Sequence, residues 1–117
     1  MKTKRQQLGA LHESRACTYL EKQGLKLVEK NFYCQFGEID LVMQAPTELV
    51  FVEVRYRSDS SMLSSLESIG PHKRNCLRKS AMYYLVSHRI TEVPCRFDII
   101  GFDAAQFKWI KNAFQFD

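Results

Sequence analysis

No window of this sequence approaches the ~18 consecutive apolar residues that a membrane-spanning helix requires, so no membrane partner is expected. The opening residues, MKTKRQQLGALHESRA, are basic, but they lack the apolar run of about 7–15 residues that marks a secretory signal. Cysteine is sparse and dispersed: Cys17, Cys34, Cys76 and Cys95 form no Cys-x-x-Cys pair, and no histidine stands at zinc-ligand spacing. That pattern argues against a zinc site. Free thiols without an export signal point to a reducing cytoplasm, where buried cysteines serve as small hydrophobes. Internal repeats and low-complexity tracts are absent, and 117 residues suit a single domain, 1–117. A fold of that length buries roughly two-thirds of its unfolded surface, enough to stand without disulfides or a structural metal.

The bulk composition is that of a globular protein, with 45% hydrophobic and 26% charged residues. Seventeen basic residues against 13 acidic ones give a net charge of +4. That balance permits an anionic partner, but the clustering of the charges carries more information than their sum.

The stretch from Phe36 to Arg57, FGEIDLVMQAPTELVFVEVRYR, organises the rest. It reads as two strands joined at Ala45-Pro46-Thr47-Glu48, where proline presets φ at the second turn position. Side chains alternate along a strand, which sets Ile39, Leu41 and Met43 on one face and Glu38 and Asp40 on the other. On the second strand Leu49, Phe51, Glu53, Arg55 and Arg57 share a face, opposite Val50, Val52, Val54 and Tyr56. A hairpin symmetric about Pro46 and Thr47 puts Asp40 across from Glu53 and Glu38 across from Arg55. Like charges directly opposite destabilise a ladder. A bound divalent cation would account for such a pair.

Around the hairpin, residues 4–23 predict a helix with Leu8, Leu11, Ala16, Tyr19 and Leu20 as its apolar stripe and Gly24 as its left-handed stop. Glu13 shares a side with Gly9 and Cys17, small neighbours that let it look inward; a solvated glutamate is the plainer alternative. Residues 25–34 read as a strand with Leu27, Val28, Phe32 and Tyr33 as apolar content. Ser58 to Ser68 is a polar loop. Pro71 opens a second helix running to about Ser87, with Leu77, Ala81, Tyr84 and Leu85 buried. Its first half carries His72, Lys73, Arg74, Arg78 and Lys79, the densest basic cluster in the chain, at a helix start that already attracts phosphate. A second hairpin, residues 94–102 returning through 107–110, closes the chain, with Phe114 and Phe116 as lids on the core. Helix–strand–strand–strand–helix–strand–strand predicts an α/β fold, a mixed sheet of about five strands flanked by helices.

Metal-dependent phosphodiester hydrolysis needs few groups: carboxylates to hold the ion and a cation near the scissile phosphate. Oxygen ligands select Mg²⁺ or Mn²⁺. The hairpin offers Asp40, Glu53 and the Val54 carbonyl as ligands, Arg55 beside Glu53, and Glu38 as a further acid, with Glu13 arriving from the first helix. The same residues could instead form a cross-strand ion-pair lattice, each pair contributing roughly 0–1 kcal/mol. Lys73, Arg74, Arg78 and Lys79, with Arg57, are the candidate nucleic-acid contacts. Neither a base-reading element nor a stacking platform is legible, so RNA stays open beside DNA.

An acid on one strand followed by Glu-x-Lys on the next marks the PD-(D/E)xK, or restriction-endonuclease-like, superfamily, whose Holliday junction resolvase branch adds a glutamate in the first helix. This chain resembles that pattern. More narrowly, Gly9…Glu13…Ala16, Gly37-Glu38-Ile39-Asp40-Leu41, Val50-Phe51-Val52-Glu53-Val54-Arg55-Tyr56-Arg57, Pro71…Lys73, Arg96-Phe97-Asp98 and Trp109…Asn112-Ala113-Phe114 are similar to the YraN family, small bacterial proteins regarded as endonucleases. The resemblance runs from Gly9 to Phe114. It implies a restriction-endonuclease-like core, metal-dependent cleavage of DNA, branched or otherwise structured, and Asp40 and Glu53 as ligands with Glu13 in support. It also raises a homodimer, because junction resolvases need two active sites. Arg55 stands where the superfamily has lysine, and arginine does not give up its proton. It can supply charge but not act as a base. A catalytically inactive nucleic-acid-binding module, or a subunit whose acidic face meets a basic partner, are the competing readings.

Overall fold

The computed structural model describes residues 1–57, 69–103 and 106–116. Helix α1 spans Lys4–Lys22 and is capped reciprocally: the Thr3 hydroxyl accepts from the Gln6 amide while the Gln6 side chain takes the Thr3 N–H. Gly24 ends it at φ +97°, a conformation that costs glycine little. Strands β1 (Lys26–Cys34), β2 (Gly37–Gln44) and β3 (Leu49–Tyr56) follow, then helix α2 (Pro71–Ser87) and strands β4 (Cys95–Phe102) and β5 (Phe107–Phe114). This is the order expected from the sequence. The polar stretch 58–68 lies outside the described residues.

The five strands form one sheet in sequence order, antiparallel throughout except for the parallel pair β3–β4. A parallel pair needs a crossover, and α2 lies in it. Among the described residues, one helix packs on each face. Ala16, Cys17 and Leu20 of α1 pack on Leu41, Met43, Val50, Val52, Ile100 and Phe102. Leu77, Ala81 and Tyr84 of α2 pack on Ile39, Val42, Leu49, Phe51 and Phe97. Burial on both faces explains why β3 and β4 read as near-continuous apolar runs. Phe114 and Phe116 stack on Phe97 with ring centroids 4.6 and 5.1 Å apart, closing the core as expected. The result is a restriction-endonuclease-like α/β core.

Three expectations about faces need correction. Leu8 and Leu11 are 39% and 53% exposed, because the buried stripe of α1 begins only at His12. Leu27, Val28 and Tyr33 are exposed because β1 is the edge of the sheet, with a bulge between Leu27 and Glu29. Strand β2 does not alternate throughout: Leu41 and Met43 lie under α1, whereas Ile39 lies under α2. The alternation breaks at Asp40.

Candidate active site

That break sits where β2 and β3 part. The hairpin has the predicted register, Gln44 opposite Leu49 through Leu41 opposite Val52, and the ladder stops there. Asp40 and Glu53 would be the next pair. Instead the Asp40 carboxylate takes the Val54 N–H at 2.8 Å, a side chain standing in for the missing backbone bond. Asp40 thus lies beyond the ladder, still close enough to feel the Glu53 charge, and it lines a cavity with Glu13 of α1.

There it meets two other acids. Among the described residues, ligand oxygens of Glu13, Glu38 and Asp40 lie within 4.8 Å of one another. Glu13 does look inward: Asn31 Nδ2 donates to its Oε1 at 2.9 Å and to Glu38 Oε1 at 2.7 Å. Asn31 holds a left-handed φ of 52°, which asparagine tolerates better than most residues. Glu38 thus bonds to Asn31 of the neighbouring strand rather than pairing with Arg55. Burial, then the nearby Glu53 charge, and then Glu13 and Glu38 push the Asp40 carboxyl up to about 9, against the opposing Val54 N–H. A carboxylate so placed stays protonated at neutral pH unless a cation joins it.

Glu53 belongs to the same neighbourhood but not to that trio. Its Oε2 lies 3.5 Å from Lys73 Nζ at the start of α2. A lysine therefore does reach the second acid, but it comes from the helix and not from β3. Arg55 lines a cavity of about 220 Å³ with Arg5, Gly9, His12, Glu13, Asp40 and Val54. His12 was not singled out by sequence. It is 5% exposed, stacks on Tyr56 at 4.2 Å, and has no hydrogen-bond partner for either ring nitrogen among the described residues. Burial, and to a smaller extent Arg15, holds its pKa below the ordinary 6.5.

The predicted basic contacts divide. Lys73 and Lys79 are exposed and Arg74 is half-buried on α2, while Arg57 is exposed just beyond β3. Arg78 is partly committed to the C-terminal strand region: its Nε donates to the Gln115 carbonyl at 2.9 Å and its guanidinium lies over Phe114. The α2 N-cap, Gly70, makes no side-chain cap hydrogen bond.

The run Arg96-Phe97-Asp98 with Trp109 and Asn112 has a structural role. Buried Asp98 accepts from Arg96 Nε at 3.0 Å, Arg96 Nη2 at 3.3 Å, Trp109 Nε1 at 3.0 Å and the Asn112 N–H at 2.9 Å. These bonds span the register shift between Phe97 and Ile99, locking β5 onto β4.

Sheet order, crossover and an acid cluster at a strand fork define a domain of the restriction-endonuclease-like class. Residues 12–102 match the uncharacterised protein family UPF0102. The chain belongs to that family, as the resemblance drawn from its motifs implied. It is 46% identical over 112 residues to a UPF0102 protein of Coxiella burnetii, covering 94% of this chain and 93% of that protein. A UPF0102 protein of Herminiimonas arsenicoxydans is 45% identical over 114 residues, 97% of this chain and 91% of the relative. One of Shewanella oneidensis is 43% identical over 107 residues, 92% and 98% respectively. No helix among the described residues is long and apolar enough to cross a membrane.

Proposed function

We propose that this protein is an endonuclease that hydrolyses phosphodiester bonds in DNA, of branched or otherwise structured form, with Mg²⁺ or Mn²⁺ as cofactor. The observation that carries the reading is Asp40: a carboxyl among three other acids, with one N–H donor and a pKa driven up to about 9. All donors in the cluster are oxygens, which suits a hard cation. Glu13, Glu38 and Asp40 would hold it, with Glu53 at the other lip of the fork. Bound there, the ion would activate water and offset charge on the phosphoryl oxygens. Arg55 lines the cavity and supplies positive charge there. Lys73 and Arg74, in the first turn of α2, offer the phosphate backbone positive charge at a helix start.

The test is incubation of purified protein with nicked, branched and single-stranded DNA in Mg²⁺ or Mn²⁺. Cleavage that disappears in Asp40→Asn and Glu53→Gln, with the fold intact, supports the reading. No cleavage of any of these substrates would remove most of its support. One observation favours a second reading, a binding module without catalysis: Glu53 is held by Lys73 rather than turned into the acid trio. Binding that persists in excess chelator and is indifferent to Glu53→Gln would favour that module.

A further inference from the structure

The exposed side of α2 carries a feature that the site at the fork does not use. Lys79, Met82, Tyr83 and Val86 fall at i, i+3, i+4 and i+7, one stripe of the helix, opposite the stripe of Leu77, Ala81 and Tyr84 that enters the core. Met82, Tyr83 and Val86 are 50%, 46% and 71% exposed. Phe36, at the tip of the β1–β2 turn, comes alongside: its ring centroid is 6.4 Å from that of Tyr83, at 68°, and Lys79 Nζ lies 5.7 Å from its centroid. Phe36, Arg78, Lys79, Met82, Tyr83 and Val86 line an open groove of about 610 Å³. An apolar patch on a helix would ordinarily suit a protein partner. Two facts point elsewhere. The 17-residue sequence of α2, PHKRNCLRKSAMYYLVS, contains no acidic residue and carries Lys73, Arg74, Arg78 and Lys79. The patch also continues directly from that basic half, whose Lys73 touches Glu53 at the fork.

We infer that Phe36 and Tyr83, flanked by Lys79, form a stacking platform for unpaired bases of a polynucleotide strand. The inference rests on the proposed nuclease reading for its meaning and names the substrate class: a strand with an unpaired segment beside the scissile phosphate. Lys73 to Tyr83 is ten residues of helix, about 15 Å. That is a reach of a few nucleotides, about four where the bases keep the ~3.4 Å spacing of a duplex strand and fewer where they unstack. A phosphate held near Lys73 therefore places bases a few nucleotides away over the two rings, with Lys79 between them. Base–aromatic stacking is indifferent to sequence, because every base offers a π-face, and it needs the bases out of the duplex.

The experiment is fluorescence anisotropy of the full chain with labelled 12-mer oligothymidylate, oligouridylate and a closed hairpin duplex, in excess chelator so that nothing is cut. The wild type is expected to bind both single strands tighter than the duplex. Tyr83→Ala and Phe36→Ala should each weaken single-strand binding about tenfold and leave duplex binding within twofold, with Tyr83→Trp restoring it. Lys79→Glu should weaken both and flatten the salt dependence. Tyr83 is half exposed, so its loss leaves the core in place; an unchanged melting temperature checks this. Equal affinity of wild type and both alanine variants for single strands overturns the inference, as does failure of the wild type to bind them. A concentration-dependent dimer that Tyr83→Ala dissolves, with oligonucleotide binding unchanged, also overturns it and makes the patch a self-interface. Cleavage is scored separately. A wild type that binds these oligonucleotides through Tyr83 yet never cuts with Mg²⁺ or Mn²⁺ refutes the nuclease and leaves the platform standing.

Discussion

Replacing Asp40 by asparagine should make the metal-free protein more stable, and more so as the pH rises. The Asp40 carboxyl is raised from 3.8 to about 9, by burial first and then by the Glu53 charge. The folded state therefore holds a proton that the unfolded chain has released over most of that interval. Stability falls with rising pH wherever the folded state binds the extra proton. The contribution is intact below pH 3.8 and is lost progressively up to about pH 9. Each unit is worth about 1.4 kcal/mol, which sets a ceiling near 6 kcal/mol at pH 8. Charge interactions surviving in the unfolded chain and relaxation around the carboxyl take a share, so the expected gain for Asp40→Asn is about 3 kcal/mol, or roughly 10 °C in Tm for a domain of this size. The asparagine Oδ1 can still accept the Val54 N–H, so the fork is kept. At pH 4.5 the gain should shrink below about 1 kcal/mol.

The assay is thermal unfolding of both proteins in chelator at pH 4.5, 6 and 8. His12 is common to both and cancels from the difference. Adding Mg²⁺ or Mn²⁺ at about ten times Kd should raise the wild type by about 1.4 kcal/mol at pH 8 and leave Asp40→Asn unmoved. A difference between the two proteins that is the same at pH 4.5 and 8 would refute the buried-acid argument. Equal stabilisation of both by metal, with salt matched, would refute the cation site.

Arg55→Lys should keep cleavage within about tenfold, since a point charge survives, whereas Arg55→Ala should lose about 100-fold in kcat; equal activity of all three would remove Arg55 from the site. Lys73→Met frees Glu53 from its 3.5 Å contact, and steady-state kinetics should show a larger loss in kcat than in KM if that lysine attends the reacting phosphate. Asp98→Ala breaks four hydrogen bonds and leaves the Arg96 guanidinium its 3.2 Å pairing with Glu48, so it should cost about 3 kcal/mol by denaturant titration; a loss under about 1 kcal/mol would contradict the lock between β4 and β5. His12→Phe keeps the stack on Tyr56 and removes two unbonded ring nitrogens, a gain of about 1 kcal/mol in Tm-derived stability at neutral pH. Because burial lowers the His12 pKa, the stability advantage of the phenylalanine variant over the wild type should widen as pH falls below 6.5.

The sequence made the hairpin legible because one turn and one period fix it. Pro46 sets the turn, alternation sets the faces, and the register through Leu41 and Val52 follows. Alternation is also what misleads at Asp40. A local break in a strand leaves no trace in residue type, so alternation puts Ile39 with Leu41 although the two lie on opposite faces. The partnership of Asn31 with Glu13 and Glu38 was equally hidden. It depends on a positive φ inside an edge strand and on two elements brought together by the fold. The signal that could have pointed to it is the polar Asn31 beside Phe32 in an otherwise strand-like run. The charge run and the helix start point Lys73 toward phosphate; only the packing of α2 against the sheet delivers it to Glu53. Phe36 and Tyr83 are separated by 46 further residues of chain, so no local pattern could join them.

Two aspartates on neighbouring parts of the sheet show how the same side chain is used in opposite ways. Asp98 is 1% exposed and accepts from the Arg96 guanidinium, the Trp109 indole and the Asn112 amide. Its charge is fully answered by the protein, so nothing further is needed there and the residue serves as a clasp. Asp40 accepts a single backbone N–H and faces acids on three sides. Apart from the Val54 N–H, burial and neighbouring acids all disfavour its charged form, and folding would be easier without it. Physical chemistry accounts for the first arrangement by stability alone. It accounts for the second through a carboxyl that keeps its proton, whose place the proposed cation would take. The comparison of Asp98→Asn with Asp40→Asn separates the two cases: the former should be destabilising at every pH near neutrality, the latter stabilising until a divalent cation is supplied.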